Sequence, residues 1–384
     1  MRPSLAKAKR IVVKIGTNLL AGENQQFHSG IAESIAAQFR SLRQEGREVI
    51  LVSSGAIGLG ASKIGVQGRV ENIAMRQACA AIGQPLLMAK YNEFFSSQGI
   101  NTAQVLLTRE LLNKRESFLN IQATIEHLLR LGIVPICNEN DSVSIAEIGP
   151  VFGDNDNLSA HIASKLDADL LVLLTDIDAM YTADPRRDSS AQPLPLVEAI
   201  TPEILASATG SGSSFGTGGM KTKLEAIQTA SRAGTQVIIA DGRIPDVLLK
   251  LVDDKEIGTL FLAGPRRKSR ERWILNTSPA GRIIIDAGAE QALQKGKSLL
   301  PSGILSVEKS FSSGDVIKIN DSFQAISRLD SNQVEKIIGL HSSEIAHILA
   351  NTSNVVAHAD DIVAIGPADC ETKRTSTSVK GQEE

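Results

Sequence analysis

Two lysines occupy positions where a phosphate group could be bound. Lys14 ends the apolar run 11–13, and Gly16 follows it, so a ligand could approach the backbone closely. Lys223 closes the segment 216–223, which is rich in glycine and hydroxyl groups and leads into a helical pattern. Such residues at a helix N-terminus suit phosphate binding. A lone lysine at a strand end is usually a surface residue, so the prediction depends on the motifs together.

A cluster of two aspartates and two asparagines, residues 154–157, opens a helical pattern that continues to Lys165. One such residue is a common helix cap, but four exceed what a cap requires. A calcium-binding loop is excluded, because its required glycine and final glutamate are replaced by Ser159 and Lys165. Residues 138–141, Asn-Glu-Asn-Asp, follow another apolar run. We therefore predict an active site that uses these polar groups.

A glycine cluster at 55–60 follows the apolar run 49–52, and Ser53 and Ser54 add hydroxyl groups. Its spacing is not that of the dinucleotide fingerprint, and the chain contains no P-loop motif. Two interpretations stay open for this segment alone. It is either a tight turn from strand to helix or a site where backbone N–H groups bind an anion.

None of the six histidines falls in these clusters, so neither a Ser-His-Asp triad nor a histidine metal site is indicated. Phosphoryl transfer to a carboxylate would explain this pattern. A carboxylate is already ionised at neutral pH and needs no general base. Catalysis would then rest on lysines and a metal ion that gather the charge of the transferring group.

The elements that position these residues alternate between aliphatic runs and helical periods from residue 10 to 264. Near-continuous aliphatic strands separated by helices predict an α/β fold with a mostly parallel sheet sandwiched by helices. Ligands bind at the carboxyl ends of such strands, where the motifs lie. A single long helical segment is predicted from the glycine cluster to about Gln98. The predicted strands are 11–13, 49–52, 103–107, 133–136, 170–174 and 237–240.

A length of 384 residues predicts two domains. The first spans 1–264, and 265–279, which includes a basic run, is predicted to be a linker. Short apolar runs bounded by turn residues predict a small β-rich domain over 280–365. The tail 366–384 has no apolar periodicity and is predicted to be disordered.

The composition is that of a globular protein, with 42% hydrophobic residues, 3% aromatic residues and a net charge of −3. This balance argues against a protein that coats nucleic acid. Cys79, Cys137 and Cys370 are widely spaced and odd in number, which fits neither a disulfide framework nor a metal site. The chain shows no signal-peptide core and no apolar run of membrane-spanning length. We therefore expect a cytoplasmic protein.

The motifs in this order resemble the amino acid kinase family, and within it the members that phosphorylate free glutamate. The resemblance covers about residues 8–365. Its C-terminal part is similar to a PUA domain, with Trp273, Gly288 and 300–304 where that domain is expected. The kinase motifs are 12–17 (VVKIGT), 53–57 (SSGAI), 106–109 (LLTR), 138–141 (NEND), 153–160 (GDNDNLSA), 173–176 (LLTD), 180–185 (MYTADP) and 216–223 (GTGGMKTK).

The resemblance implies ATP-dependent phosphorylation of the γ-carboxylate of L-glutamate, the first step of proline biosynthesis. It implies that Lys14 and Lys223 gather charge in catalysis and that Asp156 orients both. Glutamate would be held by Ser54, Gly55, Asp141 and Asn155, with Asp141 facing its ammonium group. ATP would be bound by Lys14, Thr175, Asp176, Thr217, Gly218, Gly219, Met220, Lys221, Thr222 and Lys223. Mg²⁺ would accompany ATP, held mainly by ATP oxygens and water.

The resemblance also implies feedback inhibition by proline and self-association, and it implies no membrane partner. Two alternatives stay open. The first is another member of the family, acting on acetylglutamate, aspartate, carbamate or a nucleoside monophosphate. The second is an RNA-binding protein that acts through the PUA-like domain. The near-neutral charge and the lack of an aromatic, basic face argue against RNA binding.

Overall fold

The computed structural model describes residues 2–20, 27–66, 68, 70, 72–143, 155–185, 188–201, 204, 219–340, 342–345, 348–349 and 355–365. The chain divides into two compact units, Met1–Arg267 and Lys268–Glu384. Within the described residues, no helix combines the length and apolar character that a membrane crossing requires.

The first unit alternates strands and helices along the chain. Its strands are β1 (Arg10–Ile15), β2 (Glu48–Val52), β3 (Thr102–Leu107), β4 (Val134–Glu139), β5 (Leu170–Thr175), β6 (Met180–Tyr181), β7 (Pro193–Leu194), β8 (Leu196–Val197), β9 (Gln236–Asp241) and β10 (Thr259–Phe261). Its helices are α1 (Thr17–Leu20), α2 (Ser29–Gln44), α3 (Ala56–Lys63), α4 (Ile73–Ser97), α5 (Arg109–Asn113), α6 (Arg115–Arg130), α7 (Asn155–Lys165), α8 (Met220–Arg232) and α9 (Val247–Val252).

Eight of the described strands form one sheet in the order β3-β4-β2-β1-β5-β9-β10-β8. Neighbouring strands are parallel, except that β10 runs antiparallel to β9. Strand β1 is internal, and Lys14 pairs with Val52 of β2 and with Leu173 of β5. The prediction of a mostly parallel sheet is confirmed.

Helices cover both faces of this sheet, which explains the continuous aliphatic strands. Along β1, Val13 belongs to a core that includes residues of α2, α4 and α9. Its neighbour Val12 belongs to a second core, with residues of α6, α7 and α8. Successive side chains of a strand point to opposite faces of the sheet, so the side chains of Val12 and Val13 must both be apolar here.

The segment after the glycine cluster forms two helices, α3 and α4, where the sequence predicted one. The two helices pack backbone against backbone. A Cβ on Gly83 would lie 1.8 Å from the carbonyl oxygen of Ala56, and one on Gly60 would lie 1.8 Å from that of Cys79. The chain reverses after α3, where Gly65 has a φ of +75° that suits glycine. The sequence pattern did not show this break, because it depends on the contact between two helices.

The second unit is built on a five-stranded sheet in the order β12-β11-β13-β14-β15. This confirms the predicted β-rich domain. Its described strands are β11 (Gly281–Ile285), β12 (Ile304–Glu308), β13 (Val316–Ile319), β14 (Phe323–Ile326) and β15 (Ile362–Ala364). Its described helices are α10 (Ser269–Leu275), α11 (Ala287–Gln294), α12 (Ser331–Glu335) and α13 (Ser342–Ile345), with 3-10 turns at Pro301–Gly303 and Ala359–Asp361.

Helix α10 lies in the segment that the sequence assigned to a linker. It buries Trp273 and Ile274, and Arg270 forms an ion pair with Asp361 of the same unit. The structure divides the units between Arg267 and Lys268. The predicted disordered tail, 366–384, lies outside the described residues.

Candidate active site

Lys14, Asp156 and Lys223 meet at the carboxyl end of β1. The Nζ atom of Lys14 lies 2.5 Å from Oδ1 of Asp156, and that of Lys223 lies 3.2 Å from Oδ2. Asp156 stands in the first turn of α7 and Lys223 in that of α8, and all three residues are buried. The structure therefore brings the three predicted catalytic residues into one cluster.

The two lysines of this cluster stabilise the ionised form of Asp156. Burial alone would raise the pKa of Asp156, but the attraction of Lys14 and Lys223 and their hydrogen bonds outweigh it, so that its pKa is lowered to about 2. The carboxylate is therefore ionised at neutral pH. Two ammonium groups around one carboxylate leave a positive charge that an anionic ligand can meet.

A second cluster surrounds Asn155, which precedes Asp156 in the same helical turn. Its Nδ2 atom donates hydrogen bonds to the carbonyl oxygen of Ser53 at 2.6 Å, to Oγ of Ser54 at 2.8 Å and to Oδ1 of Asn138 at 3.0 Å. The structure thus brings together Ser54 and Asn155, two of the four residues predicted to bind glutamate. The first turn of α7 joins this polar cluster to the lysine cluster.

The other two predicted glutamate residues lie at the same end of the sheet. Gly55 is the N-cap of α3, with a φ of +105° in the left-handed region, so a residue with a side chain would be strained there. Asp141 lies in the turn after β4. Burial raises its pKa, and the charge of Arg76 acts in the opposite direction. The glycine cluster forms the turn from β2 into α3, a geometry that is compatible with both interpretations left open by the sequence.

Thr175 and Asp176, predicted to meet ATP, end β5 and begin the loop after it. The Oγ1 atom of Thr175 donates to Oδ1 of Asp176 at 3.0 Å, and Nδ2 of Asn18 donates to Oδ2 at 3.1 Å. Burial acts to raise the pKa of Asp176, but these hydrogen bonds outweigh it and lower the pKa. The Arg243 guanidinium donates to the backbone carbonyl of Asp176 at 3.0 Å. The loop is thus held in place by three neighbouring side chains.

The predicted phosphate segment falls partly within α8. Gly219 is the N-cap of that helix, and Thr222 donates its hydroxyl to the Gly219 carbonyl at 2.8 Å. Thr217 and Gly218 lie outside the described residues. The first turn of the helix holds Met220, Lys221, Thr222 and Lys223, of which Lys221 is exposed and Lys223 is buried.

Two residues with no assigned role extend the polar cluster. Asn138, at the end of β4, has a relative exposure of only 2% and contacts Asn155. Its Nδ2 atom donates to Oε1 of Gln84 in α4 at 2.8 Å. Asn138 lies in the polar segment 138–141. Gln84 is one of three amide side chains in α4, with Gln77 and Asn92, and no local pattern distinguishes it.

Comparison with known proteins identifies the class to which this fold and site belong. The profile of the amino acid kinase family matches residues 9–241, and that of the PUA domain matches residues 281–349. The chain belongs to the amino acid kinase family.

Within that family the chain is similar to glutamate 5-kinases along most of its length. It is 43% identical over 373 residues to the glutamate 5-kinase of Pelobacter propionicus, which covers 95% of this chain and 100% of the relative. It is 46% identical over 362 residues to the glutamate 5-kinase of Methanosarcina barkeri, over 90% of this chain and 94% of the relative. A solved structure of UMP kinase from Bacillus anthracis covers 69% of this chain and 98% of its own, with a TM-score of 0.47 and 15% identity.

Proposed function

We propose that this chain transfers the γ-phosphoryl group of ATP to the γ-carboxylate of L-glutamate. The product is glutamyl 5-phosphate, an acyl phosphate, and the reaction is the first step of proline biosynthesis. The glutamate 5-kinases that match most of the chain support this substrate. The observation that carries the proposal is the buried lysine pair on Asp156, joined through Asn155 to a cluster of amide and hydroxyl groups.

In this proposal the two lysines stabilise the transferring phosphoryl group, which carries its charge on three oxygens. Asp156 positions both ammonium groups, because each of its oxygens faces one of them. With a pKa of about 2, Asp156 is a poor base at neutral pH. None is needed, since the acceptor carboxylate is already ionised.

The substrates would occupy the two sides of this cluster. Glutamate would be held by Ser54, Gly55 and Asn155, with its ammonium group facing Asp141. The amide N–H groups at the start of α3 point in the direction that suits an anionic group. ATP would lie along the loop after β5, at Thr175 and Asp176, and along the segment 217–223 that leads into α8.

Mg²⁺ would enter with ATP and neutralise part of the phosphate charge. We place its ligands on phosphate oxygens and water, as Mg²⁺ commonly binds in kinases. Both oxygens of Asp156 are engaged by lysines, which supports this choice. Among the described residues, no three or more His, Cys, Asp or Glu side chains form a cluster that could hold a metal.

The wider assignments rest on the family resemblance. They are inhibition by proline, self-association and a location in the cytoplasm. The two cysteines within the described part of the chain, Cys79 and Cys137, are free and buried, which is compatible with a reducing compartment. Burial raises the pKa of the Cys137 thiol to about 12, so this thiol is unreactive.

The test is ATP turnover across a panel of amino acids, with hydroxylamine present to trap an acyl phosphate as the hydroxamate. We expect glutamate-dependent turnover with formation of the hydroxamate. The panel should include aspartate, acetylglutamate and carbamate, together with UMP as a nucleotide acceptor. Turnover with one of these and none with glutamate would overturn the substrate assignment and retain only the family.

A further inference from the structure

Gln84 is held against the turn that carries Ser54 and Gly55. The residue before it, Gly83, contacts the first turn of α3 so closely that an added Cβ would lie 1.8 Å from the Ala56 carbonyl oxygen and 2.6 Å from the backbone nitrogen of Gly60. Side-chain motion cannot relieve contacts with backbone atoms. The position of Gln84 relative to the start of α3 is therefore fixed by the packing of two helices.

The direction of the hydrogen bonds around Gln84 is also fixed. Oδ1 of Asn138 accepts from the backbone N–H of Glu139 at 2.9 Å, so this atom must be the oxygen of the amide. Its Nδ2 atom is then the donor that meets Oε1 of Gln84 at 2.8 Å. Gln84 consequently uses its oxygen toward Asn138 and keeps its NH₂ group for another partner.

The Nε2 atom of Gln84 is covered from solvent and has no hydrogen-bond partner among the described residues. A covered N–H group without a partner costs free energy of folding, so such a group calls for a functional or bound partner that offsets this cost. The groups nearest along the network are Asn138, Asn155 and Ser54, which belong to the proposed glutamate site. A donor at this place suits an anionic group of the substrate.

We propose that Gln84 is a further substrate-binding residue, whose Nε2 donates to the α-carboxylate of glutamate while its Oε1 accepts from Asn138. This inference rests on the proposed function. The α-carboxylate is chosen because Asn138 lies near the carboxyl end of β4, which is two strands from β1 in the sheet. Two strand spacings are about 10 Å. The γ-carboxylate of glutamate has to reach the phosphoryl group beside Lys14. The Gln84 donor on the β4 side therefore meets the α-carboxylate at the other end of glutamate.

Gln84→Glu separates this role from a purely structural one. A glutamate side chain can still accept the hydrogen bond of Asn138, but it offers a negative charge to the substrate carboxylate in place of an N–H. If Gln84 binds substrate, the glutamate KM should rise about tenfold or more in Gln84→Ala, as expected for a lost bond to a charged group, and still further in Gln84→Glu. The kcat and the ATP KM should stay within about threefold of wild type, since neither the reacting carboxylate nor the nucleotide is contacted.

Glu93→Gln, an exposed change on the same helix, is the control and should match wild type. A glutamate KM for Gln84→Glu that equals or approaches wild type would show that Gln84 only positions Asn138. A fall in kcat as large as the rise in KM would place the contact on the reacting carboxylate, and either result overturns the inference.

Wild type without glutamate turnover would instead overturn the proposed function. Calorimetric titration of wild type and Gln84→Glu with glutamate would then still test Gln84 as a ligand.

Discussion

Lys14 and Asp156 lie 2.5 Å apart, with the carboxylate fully buried and the lysine almost so. Lys14 lies near the end of the central strand β1 and Asp156 in the first turn of α7, so their contact joins two elements that are distant in sequence. Removing water from both charges is costly unless they stay paired. The contact therefore holds the lysine in one place before any substrate arrives.

We expect Lys14→Ala and Lys223→Ala each to lower kcat by roughly 10²–10³, because in the proposed function each lysine directs its charge at the transferring group. The effect is measured by steady-state kinetics, first with glutamate varied at saturating ATP and then with ATP varied at saturating glutamate. Lys63→Ala, an exposed change at the end of α3, serves as the control. The assignment would be wrong for either lysine whose folded alanine variant retained a near-normal kcat.

The acid sensitivity of folding should depend on Asp156. Its folded pKa is lowered from 3.8 to about 2, so its contribution is present above pH 3.8 and is lost as the pH falls through about 2. The lowering corresponds to roughly 2 kcal/mol. Between pH 5 and pH 2, the free energy of unfolding of wild type should therefore fall by about that much more than that of Asp156→Asn. Denaturant titrations of both proteins across this range measure it, and parallel pH curves would contradict the prediction.

Gly83→Ala should destabilise the chain and weaken glutamate binding, since its Cβ would meet the Ala56 carbonyl oxygen at 1.8 Å. Forcing the two helices apart costs about 1–3 kcal/mol. Gly58→Ala in α3 is a matched control, because its Cβ would meet nothing within 4 Å. That change should be neutral or stabilising through helix propensity. Thermal melts and the glutamate KM of both variants test the prediction, which fails if the two behave alike.

A chain that ends at Arg267 should fold and phosphorylate glutamate, because the described residues of the proposed site all lie in the first unit. Ending it at Gly264 is less favourable. That cut keeps the Gly264 hydrogen bond to the Ser231 carbonyl at 2.8 Å but removes Arg266, which pairs with Asp169 at 3.5 Å. Glutamate-dependent turnover of both truncations is the measurement. Loss of activity in a soluble, folded 1–267 chain would mean that the second unit belongs to the active unit.

The core strands could be predicted from sequence because each is a continuous aliphatic run, and burial on both sheet faces requires this pattern. The reversal between α3 and α4 could not. Because Gly60 and Gly83 have no side chains, the two helices can pack backbone against backbone. This is a property of two helices in contact and not of either helix alone. Helix α10 was not predicted either, since its basic residues resemble a linker, although Arg272, Trp273 and Ile274 are buried.

Some residues of the candidate site could likewise be predicted from the sequence, and others could not. Lys14, Asp156 and Lys223 stand in motifs that together predicted one site, so their grouping could be expected before their contact was seen. Asn138 lies in such a motif but was given no role. Gln84 lies in none, and only the hydrogen bond from Asn138 shows its relation to the site.

The internal position of β1 gives the two lysines different backbone environments. The main chain at Lys14 is paired with strands on both sides, so its amide should exchange with solvent deuterium only when the sheet opens as a whole. Lys223 stands in the first turn of a helix, where fraying of one turn is enough for exchange. Exchange at Lys14 would therefore report the stability of the whole unit, and exchange at Lys223 would report the local opening of the first turn of α8. The Asp156 carboxylate thus connects a strand whose amides we expect to exchange slowly with a helix start whose amides we expect to exchange faster.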